Sequence, residues 1–155
     1  MVRKTPAATP AARAFQANFL LPEFTALENV LLPIRQLGKL DAAAARERAI
    51  GLLADLGLSG QADRLPNQLS GGQSQRVAIA RGLANDPHII FADEPTGNLD
   101  TGKSHEIMSM LRDFNRRRGI TIVVITHEED IAAYAMRHIR FRDGRIESDD
   151  QRRAA

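Results

Sequence analysis

The sequence predicts an α/β protein in which a helical subdomain is followed by a parallel βαβ unit and a C-terminal hairpin. Apolar residues in the first half recur at helical spacing. In the second half, two short apolar runs, Ile89-Ile90-Phe91-Ala92 and residues 120–126, flank another helical pattern. An Asp143-Gly144 pair between two short segments then marks a tight turn.

The 155 residues contain 43% hydrophobic and 26% charged side chains, enough for one domain with a core. Twenty-one basic residues against 19 acidic ones leave a net charge of +2, too little to make nucleic acid or an anionic membrane the default partner. There is no cysteine, hence no disulfide framework and no thiolate chemistry. The apolar runs fall far short of the ~18 residues of a membrane span.

Residues 1–14 are basic, free of acids and rich in Ala and Pro, without the apolar stretch of a secretory signal, and are expected to form a disordered leader. The domain is expected over residues 15–150, divided into 15–85 and 86–150. Thr25-Ala26-Leu27-Glu28 has the form of a capping box, so a helix is expected from Thr25 through the apolar residues 30–32. A second helix follows Asp41, with Ile50, Leu53 and Leu56 on its apolar stripe and Gly57 as its stop. A third starts at Ser70, runs through Val77, Ile79, Ala80, Leu83 and Ala84, and ends before Asn85-Asp86-Pro87. The run at 89–92 reads as a strand buried on both faces of a parallel sheet. Ile107, Met110, Leu111 and Phe114 define the helix of the βαβ unit, and residues 120–126 a second buried strand. A further helix is expected over 128–136 and a hairpin over 139–146.

Three segments carry chemistry. Ser70, Gly71, Gly72 and Gln73 stand at a helix start, where backbone N–H groups and a hydroxyl at the positive end of the dipole suit a phosphate; a simple N-cap with a flexible loop is the alternative. Asp93 and Glu94 end the first strand at the edge where open α/β sheets hold ligands. There an aspartate can hold Mg²⁺ through water and a glutamate can polarise an attacking water, or the pair can be a solvated turn. Thr126 and His127 end the second strand at the same edge, so His127 either reaches the same phosphate or is a surface histidine.

Together these segments resemble the ABC ATPase family, a branch of the P-loop NTPase fold. Residues 69–73 are similar to its signature, 89–94 to its Walker B strand with the catalytic glutamate, and Asn98-Leu99-Asp100 to its D-loop. His127 matches the switch histidine and Gln16, in Phe15-Gln16, the Q-loop glutamine. Leu20-Leu21-Pro22, residues 25–30 and Thr126-His127-Glu128 look most like the lipoprotein-releasing and macrolide-exporter branch. The resemblance implies ATP and Mg²⁺ as cofactors, with Glu94, His127 and Gln16 catalytic and Asp93 and Gln16 at the metal. Ser70, Gly71, Gly72, Gln73 and Asp100 would complete the site of a second nucleotide-binding subunit paired head to tail. It also implies a membrane permease as partner, a place on the cytoplasmic face of the membrane, ATP hydrolysis coupled to export or release, and no nucleic acid.

Gly97-Asn98-Leu99-Asp100-Thr101-Gly102-Lys103-Ser104 satisfies the P-loop pattern letter for letter. It is read as a helix start with a solvated lysine, because the preceding strand already ends in Asp93-Glu94 and the same letters form the D-loop. Only 15 residues precede Gln16, and they hold no glycine-rich loop. An N-terminally truncated form is therefore expected, one that acts only in trans or is an inactive fragment, with apolar sheet surface exposed. A non-catalytic pseudo-subunit and a non-transport ABC ATPase of DNA repair or translation are the alternatives.

Overall fold

The computed structural model describes residues 13–16 and 20–151. Strand β1 (Arg13–Gln16) precedes helices α1 (Ala26–Leu37), α2 (Ala42–Asp55) and α3 (Gly71–Leu83). Strand β2 (Ile89–Asp93), helix α4 (Thr101–Arg118) and strand β3 (Thr121–Ile125) form the βαβ unit. A short helix, α5 (Glu129–Ala132), then leads to strands β4 (Arg137–Arg142) and β5 (Arg145–Gln151). The first three strands make a parallel sheet in the order β1-β2-β3, and β4 and β5 a separate antiparallel pair.

The helices start where their caps dictate. Thr25 and Glu28 exchange side-chain and backbone bonds at α1, Ser70 and Gln73 do so at α3, and Asp41 caps α2 through Ala44. The hairpin turns at Asp143-Gly144, both residues at positive φ (49° and 72°), the conformation that matches the twist of the flanking strands. Its strands are longer than expected and carry a bulge between Arg140 and Phe141.

The core lies among the three helices and under the sheet. Val30, Leu53, Leu56, Leu58, Val77, Ile79 and Leu83 are buried together with Ile90 of β2, Ile107 of α4 and Ile131 of α5. Asn29 is also fully buried and spans the loop before α1: its Oδ1 accepts from the Leu21 N–H, and its Nδ2 donates to the Leu21, Phe24 and Thr25 carbonyls at 2.9–3.2 Å.

Several expectations are corrected. Ile50 is not on the buried stripe of α2 and is 43% exposed. Ala45, Ala49, Leu52 and Leu53 face the core instead, the alanines leaving room for the neighbouring helices to pack. In α4 the buried position is Met108, with Met110 only partly covered. The strands are not buried on both faces: Ile90 and Ala92 point into the core, while Ile89, Phe91, Val123 and Ile125 on the other face are between 37% and 52% exposed. Helix α5 ends at Ala132, not residue 136, because its last bonds tighten to i→i−3 (Tyr134 to Ile131, Ala135 to Ala132) before β4 begins. Within the expected leader, Arg13 and Ala14 belong to β1, paired with Ile90 and Phe91; residues 1–12 lie outside the described residues.

Candidate functional site

The register of the parallel sheet gathers the candidate residues at one edge. Gln16, the last residue of β1, is paired with Asp93, the last of β2, and Asp93 in turn with Ile125 of β3. The Glu94 N–H extends the β2–β3 ladder by one bond, to the Ile125 carbonyl at 2.9 Å, which sets Glu94 beside Thr126 and His127.

Glu94 then leaves the strand at positive φ (44°), a left-handed conformation uncommon for a residue with a Cβ. Its two carboxylate oxygens are divided between neighbours: Oε1 lies 2.7 Å from His127 Nδ1, and Oε2 accepts from Thr126 Oγ1 at 3.3 Å. The hydrogen bond and the negative charge of Glu94 raise the pKa of the otherwise exposed His127 imidazole. Thr126 Oγ1 also accepts from the Glu128 N–H, and buried Thr96 donates to Glu128 Oε1 at 3.3 Å, tying the segment after β3 to the loop after β2. The role of Thr96 had no signal in the sequence, since its partner lies 32 residues away.

Ser70, Gly71, Gly72 and Gln73 form the start of α3, with the Ser70 Oγ accepting from the Gln73 N–H at 3.3 Å and the Gln73 side chain accepting from the Ser70 N–H at 2.9 Å. The loop before α4 and the first turn of α4 pack against the two glycines, one against each. A Cβ on Gly71 would stand 3.3 Å from Leu99 Cδ2, and one on Gly72 3.3 Å from Lys103 Cδ. Asp100 caps α4 by accepting from the Lys103 N–H at 3.0 Å and forms an ion pair with the Lys103 ammonium. The two groups of candidates thus lie at opposite ends of the loop 94–100: Gln16, Asp93, Glu94 and His127 at the sheet edge, and the α3 turn with Asp100 at the start of α4.

The P-loop pattern at 97–104 does not fit a phosphate. The Asp100 carboxylate already occupies the helix start and takes both the Lys103 N–H and its ammonium, the two groups that would have to meet an anion. The sheet edge does fit Mg²⁺ bound with a nucleotide. Asp93 is a single strand-end carboxylate, in register with the last residue of β1, and one carboxylate suits an ion that keeps its waters and substrate phosphates, whereas a full protein cage would need more. No group of three or more His, Asp or Glu side chains is placed to hold a metal among the described residues.

Residues 4–97, more than half of the chain, match a family model described as ABC transporter, a match that begins within the expected leader. The lipoprotein-releasing system ATP-binding protein LolD of Geobacter metallireducens is 49% identical over 138 residues, covering 87% of this chain and 60% of that protein. The macrolide export ATP-binding/permease protein MacB of Burkholderia thailandensis is 50% identical over 135 residues, covering 87% of this chain and 20% of that protein. Among solved structures, the dimeric post-hydrolysis state of the ATP-binding cassette MJ0796 bound to ADP and Pi superposes with a TM-score of 0.79 at 42% identity, over 93% of this chain and 65% of that one. The chain therefore spans less than two thirds of the length of these relatives.

Proposed function

The chain belongs to the ABC transporter family, and on that premise we propose that it is the signature-bearing part of a transporter ATPase of the lipoprotein-releasing and macrolide-exporting branch, acting at a nucleotide held by a second subunit. The observation that carries the reading is the packing of the Ser70–Gln73 turn against the loop ending in Asp100. Two segments that the family resemblance assigns to a partner's nucleotide are already assembled side by side, with glycines where a Cβ would fit only tightly.

At the partner's nucleotide, the N–H groups at the start of α3 and the Ser70 hydroxyl would meet phosphate oxygens, with the α3 dipole favouring their negative charge. Asp100 would face the second subunit across the same junction. At the sheet edge, Asp93 and Gln16 would hold Mg²⁺, which when bound supplies positive charge to the nucleotide phosphates. Glu94 would take the proton from the attacking water at a carboxylate oxygen, and Thr126 and His127 fix the direction of that carboxylate. Hydrolysis at this edge needs a phosphate cradle, and residues 97–104 do not offer one. What the described residues do assemble is the segment read here as serving a nucleotide held by a second subunit, the Ser70–Gln73 turn with Asp100.

Coupling to a membrane permease on the cytoplasmic face follows from the same family reading. It is compatible with the absence, among the described residues, of any helix long and apolar enough to cross a membrane.

The test is to titrate the purified chain into a complete ATP-binding subunit of this branch. A change in that subunit's hydrolysis and dimerisation at several-fold excess is expected. Unchanged hydrolysis and dimerisation would remove the reading.

A further inference from the structure

Lys103 completes a P-loop pattern whose donors are turned to Asp100, and its side chain is not idle. We propose that Lys103 is a positioning residue: it latches the signature turn at the start of α3 to the loop before α4, so that the two partner-facing segments move as one. Its Cδ and Cγ lie 3.3 Å and 3.9 Å from where a Cβ on Gly72 would stand, so the lysine stem crosses the bare face of the turn. Its ammonium returns to the Asp100 carboxylate, which also accepts the Lys103 N–H at 3.0 Å. Gly71 is backed from the same loop by Leu99 Cδ2 at 3.3 Å and the Asn98 carbonyl oxygen at 3.9 Å. One of the two glycines is therefore backed by the loop before α4 and the other by Lys103 in the first turn of α4, and the aspartate that caps α4 is held by the same lysine.

The pairing holds the Asp100 pKa down and the Lys103 pKa up, which keeps both groups charged. Both side chains are more than half exposed, and an exposed ion pair adds little to stability. The latch thus acts on position, and its loss leaves the thermal midpoint of the chain nearly unchanged. The lysine's long apolar stem covers Gly72 while its charged end reaches out to Asp100, a division of labour that Arg can reproduce and Met cannot.

This inference rests on the trans reading for its functional consequence, while its structural consequence stands apart from it. The test compares Lys103→Met and Lys103→Arg with the unmodified 155-residue chain. Backbone hydrogen exchange on the chain alone is expected to speed up about threefold at the Gln73 and Lys103 amides together in Lys103→Met, and to be restored in Lys103→Arg. A change confined to Lys103, or none, overturns the latch. In the mixture with a complete subunit, Lys103→Met is expected to lower the stimulated kcat about tenfold at unchanged KM, with Lys103→Arg rescuing it. If Lys103→Met stimulates as well as the unmodified chain, the latch is overturned and the trans reading stands. If the unmodified chain does not stimulate, the trans reading falls and the exchange result alone decides the latch.

Discussion

Glu94 shows how much of the sheet-edge chemistry is set by one residue's backbone. Its positive φ of 44° takes the chain out of β2 and aims the carboxylate at Thr126 and His127 rather than into solvent. A left-handed conformation at a residue with a Cβ costs about 1 kcal/mol or more and persists because the surrounding bonds hold it. The contact with His127 is titratable. Glu94 raises the His127 pKa, so the contribution of the pair is fully present below the pKa of an unfolded histidine and is lost as pH rises through the higher folded value. An NMR titration of the His127 ring is therefore expected to show a pKa above the usual histidine range. In Glu94→Gln it should return towards that range; an unchanged titration in the variant would break the assignment. Asp93, Glu94 and His127 were legible as a group because each follows an apolar run that ends at the same sheet edge. The divided hydrogen bonding of Glu94 was not, because it depends on contacts 32 and 33 residues away.

At the scale of the element, caps were the most legible feature, since a cap is a local bond between residues three apart. Thr25 with Glu28 starts α1 as its spacing predicts, and the helices expected after Asp41 and from Ser70 begin there, capped through Ala44 and Gln73. Burial was less legible. A continuous apolar run such as residues 89–92 has the composition of a strand covered on both sides, but the covering layer lies elsewhere in the chain, and here only the face carrying Ile90 and Ala92 is packed. Likewise the stripe of α2 was misplaced onto Ile50, because large side chains suggest a core while the interface uses Ala45 and Ala49. Asn29 is the opposite case, a polar residue deep in the core. It satisfies the backbone of residues 21–25 and so fixes how the chain enters α1. Asn29→Leu is expected to destabilise the chain by about 2 kcal/mol, because the partly buried Leu21 N–H and Phe24 carbonyl lose the side-chain partner that ties them to α1. Urea unfolding followed by circular dichroism measures this, and a midpoint equal to that of the unmodified chain would contradict the network's role.

At the scale of the whole molecule, the two groups of candidate residues are joined by one short loop. Residues 94–100 run from the catalytic candidate Glu94 at the sheet edge to Asp100 beside the signature turn, so a movement at one edge has a seven-residue path to the other. Fold class, helical subdomain, βαβ unit and hairpin were all readable from periodicity and turn chemistry, and the family from the joint occurrence of its motifs. The assembly of the signature turn with the Asp100 loop was not, because nothing in the spacing of Gly71 and Gly72 says that Leu99 and Lys103 will lie against them.

The chain contains no cysteine, so Ser70→Cys places a single thiol at the heart of the proposed contact. The decisive measurement is the rate at which that thiol reacts with a small maleimide, alone, with MgATP, and with MgATP plus a complete ATP-binding subunit. Protection that requires both the nucleotide and the complete subunit is predicted. Protection by MgATP alone would mean that the chain holds its own nucleotide against Ser70, and no protection in the full mixture would mean that the signature turn does not face a partner's nucleotide; either result contradicts the account.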